Sequence, residues 1–143
     1  MLFTLLAVFA YPSMSEHRRK GMRAEGKAAL LRTAHLQERR YVDSSSRAYV
    51  QDVALLYGKP AGTAIYSGEE PADARGAYRI VVEPETAACP LNRCFLLTAV
   101  PTFTDLDCGN FALRSTGERL WEKKREDRWW ARKEECKWVA VLE

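Results

Sequence analysis

The first 41 residues constrain the fold most, because they join a short apolar run to a long, basic, helical pattern. Residues 1–12 are almost entirely apolar, and residues 16–41 then carry eight basic and three acidic side chains. The apolar start needs lipid or protein to cover it, since exposed apolar area of this size is unfavourable in water. The chain therefore begins with an apolar segment that runs directly into a long helical pattern.

The apolar run is too short to cross a bilayer by itself. As a helix, residues 1–11 would extend about 17 Å, whereas a hydrocarbon core is about 30 Å thick. The run also lacks the preceding basic residues and the following small-residue cleavage site of a secretory signal. We interpret residues 1–12 as the lower half of a longer membrane helix that kinks at Pro12, with an apolar set consisting of Leu2, Phe3, Leu5, Leu6, Val8 and Phe9.

An amphipathic helix is predicted from Ser13 to about Tyr41, with a length of about 43 Å. Its expected apolar face, which should pack on a sheet, consists of Met14, Ala24, Ala28, Leu31 and Ala34 or His35. A basic cluster lies near its start. We interpret this cluster as solvated helix surface, with lipid headgroups and acidic residues of a neighbouring subunit as alternative contacts, and its members are Arg18, Arg19, Lys20 and Arg23.

Four cysteines, at positions 89, 94, 108 and 136, lie in the second half of the chain. Disulfides are favoured over zinc, because only Cys89 and Cys94 are close in sequence and neither histidine is near them. Three pairings are possible, and we favour the sequential one, Cys89–Cys94 and Cys108–Cys136. Such bridges indicate that the chain folds in an oxidising compartment.

Three strand candidates follow the helix, at residues 77–82, 94–100 and 110–114, and a turn is predicted at 115–118. Tyr49 to Leu56 is expected to be a short helical or irregular segment, and residues 58–76 a surface connection. The order predicts an α+β fold with one long helix across an antiparallel sheet. We divide the chain into an N-terminal helix, residues 1–41, and a globular head, residues 42–143. The helix has an apolar part, 1–12, and an amphipathic part, 13–41. The head contains a loop, 42–76, a sheet, 77–117, and a C-terminal loop region, 108–136.

Several stretches together resemble the type IV pilins. They are Ala10-Tyr-Pro-Ser13, the basic stretch that ends in Arg23-Ala-Glu-Gly-Lys-Ala-Ala-Leu-Leu31, the helix end Gln37-Glu-Arg-Arg-Tyr41, the segment Cys108-Gly-Asn-Phe-Ala-Leu-Arg-Ser-Thr-Gly117, and Cys136-Lys-Trp138. Their order is most similar to the minor pilins of the PilE and ComP kind. The resemblance covers most of the chain from Ala10 to Trp138.

The resemblance implies a pilin fold and a cellular location for the protein. Pilins use the N-terminal helix first as an inner-membrane anchor and then to pack with other pilins in the filament core, and their head carries a disulfide-bounded C-terminal loop. Cys108 and Cys136 would bound that loop here. The implied location is the inner membrane and periplasm of a Gram-negative bacterium before assembly, and the cell-surface pilus afterwards.

The N-terminus departs from the family pattern, which has a basic leader ending in glycine, then Phe-Thr-Leu-Ile-Glu and a long apolar segment. Here Phe3-Thr4-Leu5 is followed by Leu6-Ala7, and no glutamate precedes Glu16. The hydrophobic segment is therefore expected to be truncated relative to the family. Three explanations are open: an upstream part is missing from this sequence, a deletion has shortened the segment, or the chain is a non-assembling relative. Leader processing and N-methylation are assigned to no residue of this chain.

The C-terminal loop interleaves cations with tryptophans, a mixture that suits a phosphate backbone and unpaired bases. Its candidate DNA-binding residues are Lys123, Lys124, Arg125, Arg128, Trp129, Trp130, Arg132 and Lys133. The competing interpretation is a solvated charged loop in which Trp121, Trp129 and Trp138 pack inward. Residues 118–137 favour this second interpretation, because their eight basic and six acidic side chains leave a net charge of only +2.

Catalysis finds little support, because His17 and His35 lie on the helix and no phosphate-binding glycine loop or metal-ligand pair occurs. We expect no enzyme activity, no cofactor, no metal and no small-molecule substrate. The leading hypothesis is a minor pilin, a structural subunit incorporated into a type IV pilus or priming its assembly. A pilin-like DNA receptor for DNA uptake and a pseudopilin of a type II secretion system are the alternatives.

Overall fold

The structure is a computed structural model that describes the backbone of residues 2–105, 107–123, 128–129, 136 and 138. Within this range it describes the side chains from Met14 to Trp121 other than Glu16, together with Cys136 and Trp138. No helix in the described part of the chain is both long enough and apolar enough to cross a membrane.

One helix, α1, runs without interruption from Leu2 to Asp43 and so includes Pro12. It ends close to the predicted position, where the N–H of Ser44 still donates to the carbonyl of Arg40. A second helix, α2, is a single turn, Val53–Leu56, that Asp52 caps by accepting a hydrogen bond from the N–H of Ala54 at 3.0 Å. The predicted long helix and the short segment after it are both present.

The sheet is an antiparallel meander in which each strand pairs with the next one along the chain. Its strands are β1 (Ile65–Tyr66), β2 (Tyr78–Val82), β3 (Leu96–Pro101), β4 (Phe111–Arg114), β5 (Arg119–Lys123) and β6 (Arg128–Trp129). The three predicted strands are confirmed as β2, β3 and β4. The sheet also includes β1, which lies within the predicted surface connection, and β5 and β6, which lie beyond the predicted turn.

The face of the sheet that meets α1 forms the core. Strand register places Ile80 opposite Ala99, Leu97 opposite Leu113, and Phe111 opposite Trp121. Each of these side chains is buried, and α1 contacts β2, β3 and β4. The alternation in β2, where Arg79 is exposed between buried neighbours, is what a half-buried strand requires.

The predicted apolar face of α1 is wrong at all but one position. Met14 is 70% exposed and Leu31 is 45% exposed, and Ala24, Ala28 and His35 are also exposed, whereas Ala34 is partly buried and packs against the core. The side of α1 that packs on the head instead carries Arg23, Gly26, Ala29, Leu30, Thr33 and Gln37. The pattern of apolar residues predicted the opposite side of the helix, because three of the side chains that are buried, Arg23, Thr33 and Gln37, are polar. Each of them forms hydrogen bonds with partners elsewhere in the fold.

Two of those polar side chains connect α1 to the segment after it. The hydroxyl of Thr33 lies 2.6 Å from that of Tyr57 and 2.7 Å from the carbonyl of Ala29. The amide of Gln37 donates to the carbonyl of Val50 at 2.7 Å and accepts from its N–H at 2.8 Å. The helix face is therefore polar by residue type but fully hydrogen-bonded at these positions.

Gly26 lets α1 lie directly on the sheet. A Cβ atom at this position would lie 2.5 Å from Cδ2 of the Tyr78 ring, closer than carbon atoms can approach without movement. Tyr78 in turn packs edge-on against Phe103, with a centroid separation of 5.5 Å. The contact requires glycine at position 26 and fixes how close the helix lies to β2.

Candidate nucleic-acid interface

The base of the C-terminal loop is a buried disulfide between Cys108 and Cys136, as predicted. Both residues are fully buried, their Cα atoms are 5.3 Å apart, and 28 positions separate them in the sequence. Cys108 immediately precedes the short connection to β4, which lies in the middle of the sheet. The disulfide therefore joins the end of the loop to the core.

A buried ion pair supports the same region from the side of α1. The guanidinium of Arg23 donates from Nε to Oδ2 of Asp105 at 2.8 Å and from a terminal nitrogen to Oδ1 at 2.9 Å. The Asp105 carboxylate also accepts from the backbone N–H groups of Asp107 and Cys108. Asp105 thereby positions the turn that carries Cys108.

The ionisation of Asp105 reflects two opposing effects. Burial disfavours the carboxylate, but the hydrogen bonds from Arg23 and from the N–H of Cys108 outweigh it and hold the pKa of Asp105 below its usual range. Two-point pairing with a guanidinium is a strong arrangement for a carboxylate in a protein interior. Both side chains are thus charged inside the fold.

Tryptophans close the base of the loop. Trp121, on β5, and Trp138 are both buried, as the solvated-loop interpretation predicted for these two residues. Trp138 donates from Nε1 to the carbonyl of Leu120 at 3.2 Å, and its ring lies 5.0 Å from the guanidinium carbon of Arg119. These contacts hold the chain just beyond Cys136 against the sheet.

A second cation, Lys27, lies half-buried beneath this region. The ammonium of Lys27 lies 5.0 Å from the centre of the Phe111 ring. Burial, together with the nearby charge of Arg23, lowers the pKa of Lys27. Lys27 and Arg23 consequently support the loop from below and do not form part of its outer surface.

The other disulfide, Cys89–Cys94, is also formed as predicted, with Cα atoms 4.9 Å apart. It closes a small loop between β2 and β3 that contacts the end of α1. The hydroxyl of Tyr41 donates to the carbonyl of Asn92, and the N–H of Tyr49 donates to the carbonyl of Leu91. This bridge acts at the end of the head opposite the Arg23–Asp105 pair along α1.

The predicted site residues are only partly within the described structure. Lys123 ends β5, and Arg128 and Trp129 form β6, so their backbone positions are described but their side chains are not. Lys124, Arg125, Trp130, Arg132 and Lys133 lie outside the described residues. The backbone of α1 includes the apolar set from Leu2 to Phe9, and the side chains of that set lie outside the description.

Sequence reasoning missed the residues that support the loop. Arg23 was assigned to the solvated basic cluster, and Asp105 was not singled out. One signal could have found the correct helix face: residues 23, 26, 30, 33 and 37 recur at three- and four-residue spacing. A search for apolar residues alone misses this pattern, because residues 23, 33 and 37 are polar.

Comparison of the sequence with known proteins identifies the family to which this chain belongs. A protein-family model described as "Type IV minor pilin ComP, DNA uptake sequence receptor" matches residues 12–112, from the first third of α1 to the second residue of β4. No curated protein and no solved structure gave a significant match. The match spans more than half of the chain and agrees with the long helix, the antiparallel meander and the two disulfides. The chain therefore belongs to the family of the type IV minor pilin ComP and is a minor type IV pilin.

Proposed function

We propose that this pilin subunit captures DNA at the cell surface through its C-terminal loop. The family is described as a DNA uptake sequence receptor, which is the observation that carries the proposal. The matched range ends at residue 112 and so does not include the basic and aromatic residues 123–133. The choice of the loop therefore rests on the chemistry of its side chains and on the way its base is held.

The described base supports this use of the loop. Cys108, Cys136 and Trp138 attach its two ends to the sheet, and the Arg23–Asp105 pair fixes the approach to Cys108. A segment held at both ends loses less conformational entropy on binding than a free one, which favours affinity. Trp121 and Trp138 are buried in the base, so stacking on bases falls to Trp129 and Trp130.

As a pilin the protein is a structural subunit, and we propose that it acts without enzymatic chemistry. Before assembly α1 would anchor it in the inner membrane of a Gram-negative bacterium, facing the periplasm. It would then enter the surface pilus or prime its assembly, packing against other pilins through the N-terminal part of α1. The family match favours this assignment over a secretion-system pseudopilin.

The test is a titration of the full-length chain, in detergent micelles, with a fluorescent DNA duplex at several salt concentrations. We expect affinity to fall steeply with salt, because each neutralised phosphate releases counterions. Reversing Lys123, Lys124, Arg125 and Arg128 to glutamate should abolish binding. The matched control reverses Arg39, Arg40, Arg47 and Arg93, which are exposed elsewhere and change the net charge equally.

Two results would contradict the proposal. One is no binding by the native chain at low salt. The other is an equal loss of affinity in the loop variant and in the control, which would show attraction to overall charge in place of a binding loop. Circular dichroism on each variant, and a comparison of its gel mobility with and without reductant, would establish that the fold and both disulfides are retained.

A further inference from the structure

A groove lies beside β3 on the face of the sheet that points away from α1. Leu96 and Thr98 of β3 line it, and they alternate along the strand with Leu97 and Ala99, which face the core. The loop of residues 83–94 forms the other wall. The volume of this β3 groove is about 520 Å³, which lies within the range of small-molecule pockets.

The loop that forms this wall is fixed by contacts within the protein. The disulfide Cys89–Cys94 closes it. The N–H of Leu91 donates to the carboxylate of Glu85 at 3.1 Å, and the carbonyl of Leu91 accepts from the N–H of Tyr49 at 2.8 Å. A ligand would therefore meet a preformed groove, which lowers the entropy that is lost on binding.

Thr98 contributes a buried hydroxyl to the groove. The residue is only 5% exposed, and within the described part of the chain no group forms a hydrogen bond with its hydroxyl. Buried polar groups in proteins nearly always have a hydrogen-bond partner. The hydroxyl of Thr98 therefore indicates that a ligand in the groove completes its hydrogen bonding.

Glu83 contributes a carboxylate to the same groove. It is partly exposed, and it forms no ion pair or side-chain hydrogen bond with the residues that the structure describes. The loop also carries Glu85 and one cation, Arg93, but of these three charged residues only Glu83 lines the groove. The groove therefore favours a cationic ligand and disfavours phosphate.

The strand register gives the spacing of the two polar groups. The N–H of Glu83 donates to the carbonyl of Leu96 at 2.8 Å, so Glu83 lies opposite Leu96 and diagonal to Thr98. Diagonal neighbours of this kind are about 7–8 Å apart. The surface around them is apolar and consists of Pro84, Leu91, Phe95 and Leu96.

An added peptide strand does not fit this site. Strand β3 pairs with β2 on one side and with β4 on the other, so it has no free backbone edge. Recognition in the groove must come from side chains. A compact molecule with an apolar body and two polar ends matches this arrangement.

We propose that the β3 groove binds a small amine whose apolar body carries a hydroxyl group at its other end. The ammonium would pair with Glu83, the body would pack on Phe95 and Leu96, and the hydroxyl would bond to Thr98. The molecule is bound as a ligand and is not transformed. This inference does not depend on DNA binding by the C-terminal loop, and it gives the head a second recognition site.

The binding test uses the full-length chain in detergent micelles and three probes of similar shape. Tyramine has both polar ends, phenethylamine lacks the hydroxyl, and 4-ethylphenol lacks the amine. An NMR titration would follow the backbone amide signals of residues 83–98. We expect tyramine to shift these signals and to bind about three- to tenfold more tightly than either of the other two probes.

Two conservative variants assign the contacts. Thr98→Val keeps the shape of the side chain, and it should weaken tyramine binding by about three- to tenfold and leave phenethylamine binding unchanged. Thr98→Ser should restore tyramine binding. Glu83→Gln should weaken the binding of both amines but not of 4-ethylphenol. Glu69→Gln is the matched control, because Glu69 is exposed on the connection between β1 and β2, outside the groove.

Three results would overturn the inference. The first is equal affinity for the three probes, or no shift of the signals from residues 83–98. The second is an equal loss of tyramine and phenethylamine binding in Thr98→Val while circular dichroism shows a native fold. The third is displacement of tyramine by a DNA duplex, which would assign the groove to nucleic acid.

Discussion

Arg23 and Asp105 are 82 positions apart in the sequence and meet in a buried ion pair with two hydrogen bonds. The guanidinium of Arg23 is only 2% exposed, so its charge depends on the carboxylate for compensation. The pair links α1 to the turn that begins the C-terminal loop. It is the contact through which a change in the helix would reach the loop most directly.

Removing one partner should therefore be costly. We expect Asp105→Ala to lower the free energy of unfolding by about 3–5 kcal/mol, because it leaves a buried guanidinium without its counter-charge. Replacing both residues with apolar side chains, Arg23→Met with Asp105→Leu, should recover much of that loss. Urea denaturation of the three proteins measures both effects, and a double variant no better than the single one would contradict the explanation.

The same pair predicts acid sensitivity. The pKa of Asp105 is lowered in the folded state, so its contribution to stability is complete above the unfolded-state value of about 3.9 and is lost as the pH falls through the folded-state value. We expect the stability difference between the native chain and Asp105→Asn to shrink as the pH is lowered below about 4. A difference that stays constant down to the lowest accessible pH would be inconsistent with this linkage.

Two glycines of α1 should respond in opposite ways to the same substitution. Gly26→Ala should destabilise the fold by about 1–3 kcal/mol, because the added Cβ would overlap the Tyr78 ring. Gly21→Ala should stabilise it by about 0.5–1 kcal/mol, because no atom lies within 4 Å of the added Cβ and alanine favours the helix. Thermal unfolding of both variants checks the sign, and a stable Gly26→Ala would disprove the close contact.

Gln37 should be among the least replaceable polar residues of α1. Its amide satisfies both the N–H and the carbonyl of Val50 from a fully buried position. We expect Gln37→Leu to cost about 1–3 kcal/mol, because it leaves the half-buried N–H and carbonyl of Val50 without their side-chain partner. Arg40→Leu, at an exposed position one turn further along, serves as the control and should change stability by less than about 0.5 kcal/mol.

The two disulfides should differ in what they stabilise. Replacing Cys108 and Cys136 with serine should cost about 3.5 kcal/mol on the chain-entropy model, and replacing Cys89 and Cys94 about 2 kcal/mol. Only the first change should also weaken DNA binding, since only that bridge bounds the candidate loop. Denaturation and DNA titration of both variants would test this, and equal DNA affinity in the two would argue against a binding loop held by Cys108–Cys136.

Much of the fold could be predicted because its signals are local. The alternation in β2 to β4, the length of α1 and the spacing of the cysteines are all readable from neighbouring residues. The short strands β1 and β6 have two residues each and carry no pattern of their own; they are defined by the strands they pair with. Strand β5 was missed because the charges around Leu120 and Trp121 resemble a loop.

The face of α1 could not be predicted, for a different reason. Arg23, Thr33 and Gln37 look like solvent-facing residues until their partners Asp105, Tyr57 and Val50 are known, and those partners lie 82, 24 and 13 positions away. The apolar residues that drew attention, such as Met14 and Leu31, are exposed in the single subunit. Hydrophobicity along α1 therefore did not report which side of the helix is buried in the single subunit.

The contact between Gly26 and Tyr78 would also carry mechanical load between α1 and the sheet. Between α1 and β2 the covalent route runs through residues 44–77, most of which lie in connections on either side of the single turn α2 and the two-residue strand β1, and these connections would stretch before they transmitted tension. The ring lying directly on the helix backbone, with the Arg23–Asp105 pair one turn away, provides a short and stiff route. If the head holds DNA as we propose, a pull on that DNA would reach α1 through this side-chain packing, and the helix-to-sheet contact would bear part of the load.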